Sequence, residues 1–367
     1  MDAYNKLNIA ILAIGFAQAF YAGIMMMLKK NARLPDRVLA VWLFAIAFQM
    51  LISLFNTRYS IMGFPISPFV YGPLLFIYIN TLISDRPRLR HYYISWTLPV
   101  IAFFILALIY RKQPVLIFDD FLAADPLRGL RFVYAILLMV SIIGYSIATF
   151  VRLDKHRRKI KDLYSYTSQK ITLGWAQFVS ISFFVFYFGL FAMGFTRVFA
   201  ENFHFDPLLA GNVILVFYSF AFSIFGYQQD RIYPELTEKE KPKYERSGLQ
   251  KKNIDSLSKK LIALMEEEKL YREPELNIVD VANRLHVPRH HVTQILNEKM
   301  GRNFFTFINN YRIEEAKQGL LDPANNNLTV LAIGFDAGFN SKSSFNTLFK
   351  KHVGLTPSEY RKTHIKT

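Results

Sequence analysis

The side chains able to do chemistry in this sequence are hydrogen-bonding amides, hydroxyls and a few cations. Five amides, Gln18, Gln49, Asn80, Gln177 and Asn212, lie inside long apolar stretches. An amide in such surroundings either bonds to a neighbouring helix or lines a ligand pocket, and both readings stand. Asp119, Asp120 and Asp125 make an acidic loop, which is either solvated or attracts a cation or cationic ligand. His290 and His291 are adjacent on an expected helix. Consecutive helical side chains diverge by about 100°, so the pair is not expected to chelate one metal. There is no cysteine, which excludes disulfides, thiolate catalysis and cysteine-held zinc or iron–sulfur clusters. No glycine-rich phosphate loop, His–Glu-x-x-His pattern or nucleophile elbow occurs. These residue types point to binding without a cofactor, not to an enzyme.

The elements that hold them are of two kinds. The 367 residues are 52% hydrophobic and 16% aromatic, yet carry a net charge of +16. The mean hydropathy is +0.18 and the pI about 9.7. Apolar surface and excess charge favour different solvents, so the chain is expected to divide between lipid and water. Seven stretches of 18 or more residues lack Asp, Glu, Lys and Arg: 8–28, 38–56, 66–84, 93–110, 132–151, 174–196 and 208–227. A helix of about 20 residues crosses a ~30 Å hydrocarbon core, so all seven fit transmembrane helices that contact a lipid bilayer. None contains Asp, Glu, Lys, Arg or His, which disfavours a proton relay or ion-coupled transporter. The longest outward loop, 111–131, is too short to be a folded domain, so a stimulus would be small, lipid-like or another membrane protein.

Orientation follows from the connectors. Segments 29–37, 85–92 and 152–173 hold fourteen Lys and Arg, against seven on the other side. The excess marks the cytoplasm, with the N-terminus outside and the C-terminal region inside. The first span resembles a signal peptide around Ala17–Gln18–Ala19, but its positive charge follows the apolar run instead of preceding it, which favours a retained helix.

Beyond Tyr227 the composition changes. Residues 230–275 hold 11 basic and 11 acidic residues and read as a solvated linker. Within it, Ile254, Leu257, Leu261 and Leu264 mark one apolar helix face. That helix either packs on the next domain or relays a signal through a dimer contact. From Leu276 two similar units appear. In the first, a short helix with Ile278, Val281, Ala282 and Leu285 inward leads through His286–Val287 to a second helix opened by Pro288 at its first position. In the second, Thr329 caps a helix with Leu331, Ile333, Gly334 and Ala337 inward. Gly338–Phe339–Asn340 turns the chain, and Ser341 caps a helix burying Phe345, Leu348 and Phe349. Ala282 and Gly334 sit where two helices cross closely and a small residue is needed. An apolar-faced helix over 304–321 joins the units. Two helix-turn-helix units on one rigid helix suit successive major-groove segments of DNA.

Gly338–Phe339–Asn340–Ser341–Lys342–Ser343–Ser344–Phe345, Phe349–Lys350–Lys351 and Gly354–Leu355–Thr356–Pro357–Ser358–Glu359–Tyr360–Arg361 resemble the signature of AraC/XylS-type transcription regulators. Tyr311–Arg312–Ile313–Glu314–Glu315–Ala316 resembles their central helix. The resemblance covers about residues 260–365. A weaker one, through Gly72–Pro73–Leu74–Leu75–Phe76–Ile77–Tyr78, is to membrane-bound members with seven N-terminal spans. The sequence departs at Gly334, where the family usually has Ala, and a softer helix is expected there.

The resemblance implies an all-α chain. Its parts would be a seven-helix sensor or anchor over 1–229, a charged linker over 230–259, and a double helix-turn-helix DNA-binding domain over 260–367. It places base-reading positions on His290, Thr293 and Gln294, and on Lys342, Ser343, Ser344 and Thr347. Arg289, Asn297, Asn346 and Lys350 suit phosphate contacts, and Ser341, at the start of the second recognition helix, belongs to the expected DNA-binding set. Implied partners are double-stranded promoter DNA and RNA polymerase, with a homodimer adding avidity. The implied location is a bacterial cytoplasmic membrane. The alternative is a membrane receptor or transporter whose cytoplasmic domain makes protein contacts only.

Overall fold

The computed structural model describes residues 3–59, 68–84, 128–199, 207–229 and 251–365, with isolated positions between 101 and 126. The expected fourth span, the acidic loop and linker residues 230–250 lie outside the described residues. Among the described residues the chain is all-α, with no strand beyond one isolated bridge. Two compact units form. One comprises Met1–Asp154 and Leu173–Ile232, the other Lys155–Thr172 and Tyr233–Thr367. Residues 155–172, which read as a connector between two spans, thus group with the C-terminal region.

The first unit contains α1 (Ala3–Met27), α2 (Leu34–Tyr59), α3 (Tyr71–Ile83), most of α4 (Arg128–Ile160), α5 (Gly174–Phe199) and α6 (Pro207–Ala221). A π-turn, Phe222–Gly226, continues α6. Five stretches are long and apolar enough to cross a membrane: Asn5–Met27, Leu34–Phe55, Arg128–Ile160, Gly174–Met193 and Leu209–Gly226. At most 44% of any of their apolar windows is buried. Bulky apolar side chains such as Phe48, Val140, Phe178 and Phe217 therefore face outward. In water such a surface would drive association, whereas in lipid it costs nothing, which suggests membrane insertion. The third expected span appears as the shorter α3, buried along nearly its whole length.

The interior of this unit is where its polar groups meet. The Gln18 amide donates to the Ser223 hydroxyl at 2.8 Å, while the Ser219 hydroxyl donates to the Gln18 oxygen. The Tyr71 hydroxyl donates to Gln49, and the Asn80 amide to the Phe76 carbonyl at 2.8 Å. Gln18 and Gln49 bond between helices, whereas Asn80 bonds back within its own helix instead of to a neighbouring one. Gln177 and Asn212 are half-buried on α5 and α6.

A charged corner went unnoticed in the sequence. Asp36, buried at the start of α2, accepts from the Lys29 ammonium at 3.0 Å and the Arg33 backbone N–H at 2.8 Å. Arg33 also donates to the Gln229 carbonyl at 3.2 Å, and the Trp175 indole to the Gln229 side chain at 2.9 Å. These bonds tie the α1–α2 corner and the start of α5 to the end of the last apolar helix.

The second unit contains α7 (Lys251–Glu266), α8 (Ile278–Arg284), α9 (Arg289–Gln294), α10 (Phe304–Leu321), α11 (Val330–Asp336), α12 (Lys342–Val353) and α13 (Pro357–Ile365). The apolar face of α7 buries Leu261, Leu264 and Met265 within this unit, against the 3₁₀ turn Leu270–Arg272 and the π-turn Ile295–Lys299. Packing on its own domain is the arrangement seen.

Candidate nucleic-acid interface

The first helix-turn-helix is built by its caps. Asn277 accepts from the backbone N–H groups of Val279 and Asp280, while Asp280 accepts from Asn277, a complete capping box that starts α8. His286 carries the reversal at φ 55°, a left-handed conformation. Pro288 is the N-cap of α9, not its first helical residue, because its extended ψ of 143° ends the turn before the helix begins. After Gln294 the helix widens into the π-turn, with Ile295 and Leu296 buried.

The second unit follows its sequence pattern closely. The Thr329 hydroxyl caps Ala332 at 3.1 Å, and the Ser341 hydroxyl caps Ser344 at 3.3 Å. Gly338 has φ 96°, and a Cβ there would stand 2.5 Å from the Tyr271 carbonyl oxygen. Only glycine fits both conditions. Gly334 is favoured for a different reason. A Cβ on it would lie 2.5 Å from the Phe345 ring, which is fully buried. Phe339, Phe345, Phe349 and Tyr360 form a ring cluster in the core and do not face outward. Helix α10 contributes Ile313, Ala316 and Leu320 to this core.

Each expected recognition residue has a definite setting. On α9 and its π extension, His290 and Asn297 are exposed, and Arg289, Thr293 and Gln294 are half-buried. The Thr293 hydroxyl donates to the Arg289 carbonyl at 3.2 Å, and the Gln294 amide to Glu298 at 3.0 Å. On α12, Lys342, Ser343, Thr347 and Lys350 are exposed, while Ser341, Ser344 and Asn346 are half-buried. Ser341 spends its hydroxyl on the cap, which gives it a structural duty. The expectation that His290 and His291 point apart fails, because their rings meet edge to face with centroids 4.3 Å apart. Residues in a first helical turn have enough side-chain freedom to converge. Burial, then the neighbouring His290, lowers the pKa of His291. Among the described residues no cluster of three or more metal-ligating side chains occurs.

Arg312 and Asn309 were missed as functional side chains. Both lie on α10 and are buried, and Arg312 is 1% exposed. The Arg312 guanidinium donates to the carbonyls of Tyr271 at 2.7 Å, Glu273 at 2.6 Å and Ser165 at 3.2 Å, and to the Ser165 hydroxyl at 3.0 Å. Burial lowers its pKa to about 9, so it remains charged at neutral pH. One turn further on, Glu315 accepts from Tyr271, Arg272 and Lys269. Burial raises the Glu315 pKa, but those three donors outweigh it and leave the carboxyl lowered. A polar residue in phase with an apolar face was the signal available in the sequence.

The geometry defines a double helix-turn-helix domain. Residues 281–363 match a family described as "Helix-turn-helix domain", and this part of the chain is an AraC-type helix-turn-helix domain. The uncharacterized HTH-type transcriptional regulator YtdP of Bacillus subtilis is 31% identical over 116 residues, which is 32% of this chain and 14% of that protein. The probable transcription factor PqrA of Proteus vulgaris is 27% identical over 95 residues, 26% of this chain and 75% of that one. The chain therefore spans only a small part of the first relative's length. A solved protein of unknown function from Listeria innocua is 26% identical, covering 29% of this chain and 95% of that chain, with a TM-score of 0.26. The family match and the relatives named as regulators support a DNA-binding transcription regulator.

Proposed function

We propose that this protein is a membrane-embedded, one-component transcription regulator that binds promoter DNA sequence-specifically through α9 and α12. The observation that carries the reading is the pair of helix-turn-helix units joined by α10, in a segment whose relatives are named as transcriptional regulators. His290, Thr293 and Gln294 in one unit and Lys342, Ser343, Ser344 and Thr347 in the other present amide, imidazole, hydroxyl and ammonium groups suited to base edges. Arg289, Asn297, Asn346 and Lys350 suit phosphates. The apolar helices anchor the domain and sense a small or lipid-like stimulus. RNA polymerase is the partner through which promoter binding acts, and a homodimer adds avidity.

The grouping of residues 155–172 with the C-terminal domain supports the topology. Two apolar helices, α5 and α6, separate residues 155–172 from the C-terminal region in sequence, and an even number of crossings returns the chain to the same side. The basic connectors assign that side to the cytoplasm, with the N-terminus outside.

The test uses the full chain in lipid nanodiscs and a random-sequence duplex pool. The expected result is enrichment of a defined sequence, with affinity that falls steeply as salt rises. Absence of any enriched sequence would sink the reading and leave a receptor or transporter whose cytoplasmic domain contacts only protein.

A further inference from the structure

Residues 161–166 follow α4 in a segment that, by sequence, merely links two membrane helices. Leu163, Tyr164 and Ser165 are nonetheless buried, within the C-terminal unit. The Ser165 N–H donates to the Leu276 carbonyl at 3.1 Å, and the Ile278 N–H donates to the Leu163 carbonyl at 2.8 Å. These two bonds make an antiparallel bridge between Tyr164 and Asn277. The Phe305 N–H donates to the Lys161 carbonyl at 2.9 Å. Ile278 is the first residue of α8, and Phe305 the second of α10. Their N–H groups are among those a helix cannot satisfy internally. One short stretch of connector therefore supplies caps to two helices of the domain.

Side chains lock the same junction. The Asn309 amide donates to the Ser165 carbonyl at 2.8 Å. The Ser165 hydroxyl accepts from Arg312 at 3.0 Å and donates to the Leu276 carbonyl at 2.7 Å. Ser165 thus bridges α10, which carries both helix-turn-helix units, to the strand-like entry of the first unit. At the connector's other end, the buried His156 ring lies 2.8 Å from the Ile171 carbonyl.

We propose that residues 161–166 are an integral part of the DNA-binding domain, and that Ser165, held by Asn309 and Arg312, is the positioning residue through which the membrane helices set the first recognition helix relative to α10. The proposal rests on the DNA-binding reading above. It makes the connector, and not only the linker at 230–250, a route from membrane to DNA. A stimulus that shifts α4 pulls on the caps of α8 and α10 directly.

The chain lacks cysteine, so paired cysteines can be introduced without background. Tyr164 and Asn277 face each other as a pair not directly hydrogen-bonded to each other, for which Cα atoms stand about 4.5 Å apart, within disulfide range. The experiment uses full-length Tyr164→Cys/Asn277→Cys in phosphatidylglycerol-containing nanodiscs and reads affinity for the duplex the wild-type chain selects; because Asn277→Cys also removes the cap of α8, the reduced double-cysteine chain is the reference. Mild oxidation is expected to close the disulfide nearly completely in the native chain. Ser165→Ala is expected to weaken duplex binding by about tenfold, and Asn309→Ala by less. Closing the disulfide in the Ser165→Ala background should restore binding, and reduction should abolish the rescue. A disulfide also rescues a merely structural loss, so amide exchange over residues 278–299 is read beside binding: a positioning role weakens binding with exchange unchanged, and faster exchange that closure reverses overturns it. The proposal is overturned if the disulfide forms no faster than in the denatured chain, if Ser165→Ala binds like the wild type, or if closure leaves its loss unchanged. Failure of the wild-type chain to select any duplex overturns the DNA-binding reading itself. Failed closure with normal duplex selection overturns the docking alone.

Discussion

Gly334 lies against Phe345 so closely that a Cβ on the glycine would stand 2.5 Å from the ring. Helix propensity alone says that alanine should improve α11 by about 1 kcal/mol. The contact says the opposite, because Phe345 is fully buried and its ring is packed on Phe339 and Phe349. Overpacking of such a site costs about 1–3 kcal/mol. Gly334→Ala is therefore expected to be neutral to destabilising by about 2 kcal/mol. Hydrogen exchange over residues 330–353 of the full chain measures it. Slower exchange than in the wild type would show that Phe345 moves aside freely.

Arg312 gives a second prediction. Replacing it with Met keeps most of its volume but takes the guanidinium donor from the buried Tyr271 carbonyl and the part-buried Glu273 carbonyl, and leaves the Ser165 carbonyl with the Asn309 amide alone. The expected loss is about 3 kcal/mol or more. Arg312→Lys keeps the charge but loses the planar fork, and an intermediate loss is expected. Chemical denaturation followed through the C-terminal unit ranks the two. Equal stability of Arg312→Met and wild type would refute the role assigned to these bonds.

Much of the domain could be read from the residues, since its signals are local. Thr329 and Ser341 cap the helices they precede, Gly338 takes positive φ, Ala282 is buried, and Gly334 lies against Phe345 of the next helix. The apolar stretches marked helices for the same reason. The fit at Gly334 was not visible, because it depends on the position of one ring eleven residues away. The docking of residues 161–166 was still less so. It joins segments more than 110 residues apart through backbone groups, which every residue type possesses. Pro288 was displaced by one position because a proline suits both the N-cap and the first helical residue, and its φ alone does not choose.

The histidine pair predicts a pH response. Burial, and then His290 beside it, lowers the pKa of His291 below its ordinary 6.5. Around that pH the folded state binds fewer protons than the unfolded one, so stability rises with pH. The first unit should hold its full stability above about pH 7 and lose some as pH falls through the ordinary histidine range. Amide exchange in residues 289–299 should therefore speed up on acidification, after correction for intrinsic rates. His291→Gln should flatten the response. An unchanged profile in that variant would assign the pH dependence to another group.

The division of labour on the recognition helices is the last expectation. Lys342 is exposed at the start of α12, where its ammonium can meet a guanine edge, and Gln294 presents an amide suited to adenine. Gln294 now donates to Glu298, so base contact requires exchange of that bond. Exchange with a surface carboxylate costs little. Lys342→Ala and Gln294→Ala should each relax specificity at about one base pair, by roughly 1–3 kcal/mol. Lys350→Ala should weaken all duplexes alike and lower the salt slope by about one unit. Selection from a random duplex pool with each full-length variant separates the cases. Identical selected sequences for Lys342→Ala, Gln294→Ala and wild type would remove both from the base-reading set. A changed sequence with Lys350→Ala would move that residue into it.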